Sequence, residues 1–355
     1  MRFAAAAARQ NTSVAESRGG ILTDSAGGNG DKRRFSAACL RSVGGGGQRV
    51  APGDVALPRD FAARHGDGVD RGLCLGGGGL FFIAWQVAYL HTLASEGFDV
   101  STADKIVGTS AGSLVATALV GGRLPRIYKG VSAFAKLSTV FPTLGSNSSM
   151  HPSQQRALDI FFQSGDSDPA TVRAIGHASL AARTSSSQNV RRTLGVIIGG
   201  SHWPSKTLHI TCVDAYTGER CVLTSESNIQ VSKAIAASCA VPGLAAPQPI
   251  GDRRCLDGGV GGTGTHLDLL AGARRVLVLA LSDGSDLTEG MATQAPGAAQ
   301  QELADLAASG TDVLLRTPEE FDLEELMVPS SVPRALSMGK RQAAADAVAL
   351  SEFWD

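Results

Sequence analysis

Two short apolar runs, each of which stops at glycines and leads into a helical pattern, constrain the fold of this chain more than any other feature. Residues 71–75 end at the four glycines 76–79, and apolar side chains then recur at helical spacing over 81–93. Residues 105–107 form the second run, which is followed by the glycine-bounded turn and helix pattern of 108–120. Consecutive strand–turn–helix units place their strands in a parallel sheet with right-handed crossovers. The sequence therefore predicts an α/β fold with a mainly parallel central sheet.

Later segments extend this prediction. Residues 207–213 and 220–224 are strand-like runs on either side of a turn, and we predict that they pair antiparallel. Residues 232–240 indicate a helix of small residues, and 274–281 indicate a buried strand. Residues 312–315 form one further strand-like run.

Composition limits the classes of function. The 355 residues can form one large domain or two small ones, and the 43% hydrophobic content suffices for a buried core. The formal net charge is -1, so the chain has no basic field for a phosphate backbone, and nucleic acid is not an expected partner. The six cysteines form no C-x-x-C pair; they are Cys39, Cys74, Cys212, Cys221, Cys239 and Cys255. This cysteine pattern favours a reducing, cytoplasmic location.

The chain divides into two predicted parts. Residues 1–68 are rich in Gly, Ala and Arg without periodicity, and we predict that they are disordered, whereas 69–355 are predicted to form the folded domain. Within the domain, 124–204 indicates a helical insertion that serves as a lid or as extra helices of the core. No apolar run reaches the ~18 residues of a transmembrane helix, so any membrane contact is expected to be peripheral. No pattern indicates an oligomeric state.

The turn after the second strand carries the pattern Gly-x-Ser-x-Gly, at Gly108, Ser110 and Gly112. A serine at a sharp strand-to-helix corner exposes its Oγ atom, and the two glycines leave room for backbone that a Cβ would strike. The helix that begins after Ser110 also directs its positive N-terminus at the site, where it stabilises a developing oxyanion. Ser110 is therefore the candidate nucleophile. The alternative is a chance match in a chain that has 43 glycines.

The four-glycine loop allows three interpretations. In an oxyanion hole, the N–H groups of Gly77, Gly78 and Gly79 donate to the substrate oxygen as it becomes negative. In a tight turn, the glycines serve structure alone. A phosphate cradle requires a G-x-G-x-x-G spacing, which Phe81 and Phe82 interrupt in this chain.

Two residues are candidates for the general base. Asp257 ends a strand-like run, and the following Gly258 and Gly259 permit a close approach to another segment. His266 lies nine positions later, so the order Ser, Asp, His of the α/β-hydrolases is also available. From the spacing alone, the Asp-Gly-Gly turn serves a Ser–Asp pair, a Ser–Asp–His triad or structure only.

Four motifs taken together resemble the patatin-like phospholipase family. They occur in the family's order and approximate spacing at residues 75–79, 108–112, 236–243 and 257–259. The resemblance extends over about 71–281. It implies a three-layer α/β/α fold and hydrolysis of lipid acyl esters by a Ser–Asp dyad, with no metal or other cofactor.

Carried over by position, the resemblance implies that Ser110 is the nucleophile, Asp257 the base, and the glycine loop the oxyanion hole. The expected partner is a lipid or another acyl-ester substrate. Many members have a cation and then a glycine where this chain has Phe81 and Phe82. These side chains either line an acyl site or pack in the core. The Asn and Pro often seen after Gly259 are also missing. A patatin-fold lipid-binding protein without turnover, and a transacylase, remain open alternatives.

Overall fold

The computed structural model of the chain describes residues 55–140, 150–184, 186–285, 287 and 289–354, with the backbone alone for 137–140. The predicted disorder of 1–54 lies outside the described residues. No described helix is both long enough and apolar enough to cross a bilayer.

Eight strands form one sheet in the described part of the chain. They are β1 (Arg71–Leu75), β2 (Lys105–Thr109), β3 (Leu208–Asp214), β4 (Arg220–Leu223), β5 (Gln248–Ile250), β6 (Arg253–Asp257), β7 (Arg275–Leu279) and β8 (Asp312–Arg316). Hydrogen-bonded pairing links them along the path β5-β6-β3-β2-β1-β7-β8, and β4 also pairs with β3. Strands β3, β2, β1, β7 and β8 are parallel neighbours, whereas β4 and β6 both run antiparallel to β3. The predicted antiparallel pairing of 207–213 with 220–224 is therefore confirmed.

Nine α-helices connect or cover these strands within the described residues. They are α1 (Gly79–Ser95), α2 (Ala111–Val120), α3 (Leu124–Val140), α4 (Pro152–Gln163), α5 (Pro169–Ala181), α6 (Ser187–Ile198), α7 (Val231–Ser238), α8 (Ala298–Ala308) and α9 (Val332–Trp354). Helices α3 to α6 occupy the stretch 124–204, for which the sequence predicts a helical insertion.

The sheet is buried on both faces. Leu73 and Leu75 of β1 join the larger core with side chains of α1, α2, α7 and α9. Cys74, between them, joins a second core with Leu270 and with Leu306 of α8. Successive side chains of a strand face opposite sides of a sheet, so the alternation identifies two separate helical layers. The three-layer α/β/α fold with a mainly parallel sheet is thus confirmed.

Helix α9 packs along α1 and covers one face of the larger core. Trp85 Nε1 donates to Gln342 Oε1 at 2.7 Å, and the Tyr89 hydroxyl donates to Asp346 Oδ2 at 2.7 Å. Phe82 stacks on Trp85 with 5.3 Å between ring centroids.

Phe81 and Phe82 are fully buried. Of the two roles that the sequence allows for these side chains, the structure therefore assigns core packing.

Residues 55–68 contact the domain although the sequence assigns them to the N-terminal segment. The Leu57 N–H group donates to the Arg220 carbonyl at 2.9 Å. The Arg220 guanidinium donates in turn to the carbonyls of Leu57 and Pro58. It also binds the buried Asp268 carboxylate through two bonds of 2.5 and 2.7 Å. These contacts attach 57–58 to the sheet, before the predicted domain boundary at residue 69.

The substitution Gly339→Ala tests the packing of α9 on α1. A Cβ at Gly339 would lie 2.5 Å from the Trp85 carbonyl oxygen, so the helices must separate. We expect a loss of about 1–3 kcal/mol in the free energy of unfolding. Gly130→Ala is the matched control, because Gly130 also lies inside a helix but its Cβ would meet no heavy atom within 4 Å. The control is expected to gain up to about 1 kcal/mol. Equal changes in the free energy of unfolding of the two variants, measured by denaturant titration, would contradict this packing.

Candidate active site

The candidate site lies at one edge of β3, where β2 and β6 meet end to end. Strand β2 pairs with β3 as far as Thr109 opposite Thr211, and β6 pairs with β3 as far as Asp257 opposite Cys212. Strand β4 overlaps both pairings along β3, so it occupies the other edge, and β2 and β6 share one edge. Two strands that run towards each other therefore end at adjacent positions of β3. Ser110 follows the first strand and Asp257 ends the second.

The backbone at Ser110 makes a strained corner between β2 and α2. Ser110 has φ 51° and ψ −119°, which L-residues adopt at a cost and which is typical of a nucleophile elbow. A Cβ at Gly108 would lie 2.8 Å from the Ser113 Cα, and a Cβ at Gly112 would lie 1.9 Å from the Leu75 carbonyl oxygen. Both glycines of the motif are therefore required by close backbone approach.

Ser110 and Asp257 are joined by a direct hydrogen bond. The Ser110 hydroxyl donates to Asp257 Oδ2 at 2.7 Å, and Asp257 Oδ1 accepts from the Gly259 N–H group at 2.8 Å. Both side chains are buried, with 8% and 4% exposed. Burial raises the pKa of Asp257 to about 6, against the opposing effect of these two donors. A Cβ at Gly258 would lie 2.6 Å from Thr211 Oγ1, so only glycine allows this turn to reach Ser110.

Three side chains hold the backbone of Ser110. Its N–H group donates to Ser238 Oγ at 2.8 Å, and its carbonyl accepts from Ser113 Oγ at 2.7 Å and from the Cys239 thiol at 3.2 Å. Burial, and then the charge of Asp257, raises the pKa of Cys239 to about 12, so the thiol keeps the proton that it donates. Sequence analysis places Ser238 and Cys239 in a motif but misses these bonds, because they depend on how the end of α7 packs against the elbow.

The glycine loop lies directly beside the serine. A Cβ at Gly77 would be 3.2 Å from the Ser110 Cβ and 3.9 Å from its Oγ. The N–H groups of Gly77 and Gly78 donate to no acceptor within the described residues. Gly79 and Ala111 begin α1 and α2, and no carbonyl of their own helices can accept from their N–H groups. The N–H groups of these three glycines are therefore without an acceptor among the described residues, and Gly77 is the one that adjoins Ser110.

His266 lies behind the Asp257 turn. Its Nε2 donates to the Gly258 carbonyl at 3.1 Å, and its Nδ1 faces Arg59 Nη2 at 3.5 Å. Burial, followed by the charges of Arg59 and Arg220, holds the pKa of His266 well below its usual range, so the ring is neutral. Neither ring nitrogen bonds Ser110 or Asp257. The structure thus brings Ser110 and Asp257 together and gives His266 a backbone partner.

The chemistry of the site follows from these contacts. A hydroxyl bonded to a buried carboxylate, next to unpaired N–H donors, is suited to acyl transfer through a covalent intermediate. No group of three or more His, Cys, Asp or Glu side chains is arranged for a metal ion among the residues that the structure describes.

Comparison with known families identifies a match. The family model described as "Patatin-like phospholipase" matches residues 73–267, which is more than half of the chain. The matched range contains Ser110, Asp257, His266 and the glycine loop. The curated proteins compared with the chain include no match.

Several solved structures are similar in part. The crystal structure of VipD from Legionella pneumophila has a TM-score of 0.34 and 12% identity, over 83% of this chain and 68% of VipD. The type III effector protein ExoU has a TM-score of 0.27 and 16% identity, over 78% of this chain and 53% of ExoU. The heterodimeric complex ExoU-SpcU from Pseudomonas aeruginosa has a TM-score of 0.29 and 17% identity, over 78% of this chain and 52% of the matched chain. The chain thus spans about half the length of ExoU.

Two substitutions test the position of His266. His266→Ala removes the donor to the Gly258 carbonyl and leaves a cavity, so we expect unfolding to become easier by about 2–4 kcal/mol. His266→Gln keeps an N–H donor in the side chain and is expected to lose less stability. Both variants share the backbone strain of φ 53° at this residue, so the difference reports the side chain. A stability of His266→Ala equal to that of the wild type, by chemical denaturation, would contradict this contact.

Proposed function

The chain belongs to the patatin-like phospholipase family, and we propose that it cleaves carboxylic esters of lipids through a Ser110 acyl-enzyme. Asp257 is the general base, and the amides of Gly77, Gly78 and Gly79 stabilise the oxyanion. The observation that carries the proposal is the 2.7 Å hydrogen bond between Ser110 Oγ and a buried carboxylate. Burial keeps that carboxylate basic, with a pKa of about 6, where a solvated aspartate is a weak base.

In the first half-reaction, Asp257 Oδ2 accepts the hydroxyl proton of Ser110 while Oγ bonds to the ester carbonyl carbon. The carbonyl oxygen becomes negative and accepts hydrogen bonds from the glycine loop. Such donors contribute about 3 kcal/mol each to the transition state. The carbon–oxygen bond to the alcohol then breaks, and the alcohol oxygen takes the proton from Asp257. The acyl group remains on Ser110.

In the second half-reaction, Asp257 accepts a proton from water, whose oxygen attacks the acyl carbon. The same N–H groups stabilise the second oxyanion. Ser110 Oγ leaves and recovers the proton, and the carboxylic acid is released. One carboxylate therefore serves both steps as base and then as acid. His266 has no step to perform, because its Nε2–H group is already bonded to the Gly258 carbonyl.

Loss of either member of the dyad is expected to abolish turnover. A fluorophosphonate probe should label the wild type and not Ser110→Ala. Hydrolysis of p-nitrophenyl esters and phospholipids should fall about a thousandfold or more in Ser110→Ala, and at least about a hundredfold in Asp257→Asn. Ser95→Ala, at an exposed serine of α1, is the control and should behave as the wild type.

Two outcomes distinguish the alternatives. A purified wild type that binds lipid vesicles but neither reacts with the probe nor hydrolyses any ester would support a non-catalytic lipid-binding protein. Formation of a second lipid ester, instead of free acid, would indicate transacylation.

The pH dependence should report the base. Asp257 acts only as carboxylate, so kcat/KM is expected to fall as the pH decreases through about 6 and to level off above it. The measurement is the pH profile of p-nitrophenyl ester hydrolysis, with circular dichroism at each pH to verify that the protein is folded. A fall in kcat/KM centred at pH about 4, the ordinary pKa of aspartate, would contradict burial of the base.

A further inference from the structure

A short apolar segment beyond the family-matched residues lies against the glycine loop. It begins with the single helical turn Leu323–Glu325 and continues through Leu326, Met327 and Val328. The Leu326 carbonyl accepts from the Phe81 N–H group at 3.0 Å, so the segment is bonded to the first turn of α1. We refer to residues 323–328 as the rim segment.

Leu326 and Met327 both contact the last glycine of the loop. A Cβ at Gly79 would lie 2.6 Å from Met327 Sδ and 2.6 Å from the Leu326 carbonyl oxygen. The thioether therefore packs on the bare Cα of the last glycine in the loop. Gly79 is two residues from Gly77, which adjoins Ser110. Met327 thus contacts the loop two residues from the glycine that adjoins Ser110.

The rim segment exposes apolar side chains. Leu323 is 49% exposed, Met327 50% and Val328 40%. Water contact with such side chains is unfavourable by about 25 cal/mol per Å², so an alkyl chain laid across them is stabilised. A methionine is also flexible and polarisable, which suits it to chains of varied shape.

Carboxylates outnumber basic side chains around the rim segment. Glu319 pairs with Arg341, and Glu325 pairs with Arg334. Asp322 and Glu324 form no ion pair with any residue that the structure describes. An anionic head group would meet like charge here, whereas an alkyl chain carries none.

We infer that the rim segment binds the alkyl chain of the ester, with Met327 as the residue that determines chain-length preference. This inference rests on the proposed function and names a part of its substrate site. An acyl chain that leaves the ester carbonyl over the glycine loop passes Gly79 and meets the Met327 thioether. The apolar side chains of the rim then shield that chain from water.

The test compares Met327→Ala, Met327→Leu and Val348→Ala on p-nitrophenyl acetate, butyrate, octanoate and laurate. Met327→Ala should lower kcat/KM for octanoate and laurate about tenfold, which corresponds to about 1.4 kcal/mol, and leave acetate unchanged. Met327→Leu restores apolar contact and should retain the preference for long chains. Val348, which is 72% exposed on α9, is the control for loss of an exposed apolar side chain.

Two results would overturn the inference while leaving the proposed function intact. One is an unchanged chain-length profile in Met327→Ala. The other is an equal loss on acetate and laurate, which would mean that Met327 supports the loop and not the chain. A wild type inactive on every ester contradicts the proposed function instead. In that case, laurate binding is compared between Ser110→Ala and the double variant Ser110→Ala/Met327→Ala, which tests the rim segment by itself. We expect the double variant to bind laurate severalfold more weakly, and an equal Kd would overturn the inference.

Discussion

The backbone pairing of β3 with both β2 and β6 along one edge is the constraint on which the candidate site depends. Ladder hydrogen bonds set the register of each strand, so the ends of β2 and β6 face each other over two adjacent residues, Thr211 and Cys212. Ser110 and Asp257 are brought together by this register before any side-chain contact forms. The requirement for glycine at 258 has the same origin, because the turn that leaves β6 passes directly over Thr211. The distance between Ser110 and Asp257 is therefore set by strands and not by loops.

The region behind the site is held by buried polar groups. His266 supports the carbonyl that follows Asp257, and Arg59 approaches the other side of its ring. Asp268, two residues after His266, binds Arg220, which also secures residues 57–58. Arg220 and Asp268 are paired where water is excluded, so removing one of them would leave the other charge uncompensated. Residues upstream of the family-matched range thus contribute to the support of the proposed base.

Local features of the fold could be predicted from the sequence, and contacts between distant segments could not. The elbow at Ser110 and the strand–turn–helix units depend on glycines and on apolar periodicity within short windows. Spacing could not favour Asp257 over His266 as the candidate base, because the position of Asp257 beside Ser110 depends on pairing between β3 and β6. The burial of Phe81 and Phe82 depends on packing between distant segments, such as the contact of Phe81 with Phe321. The contacts of 55–68 are also long-range, because Leu57 bonds to Arg220 and Gly66 to Ala271. The hydrogen bonds that Ser238 and Cys239 form with the Ser110 backbone depend on the placement of α7, which no local pattern encodes.

The packing of α9 on α1 also has a consequence for biosynthesis. Helix α1 is synthesised early, but Gln342 and Asp346, which bind its Trp85 and Tyr89, follow more than two hundred residues later. Contacts between such distant segments carry a loop-closure cost and form slowly. On the ribosome, the apolar face of α1 therefore stays uncovered until most of the domain has emerged. During that interval a nascent chain is exposed to aggregation, and a chaperone that shields apolar helices has its opportunity to bind.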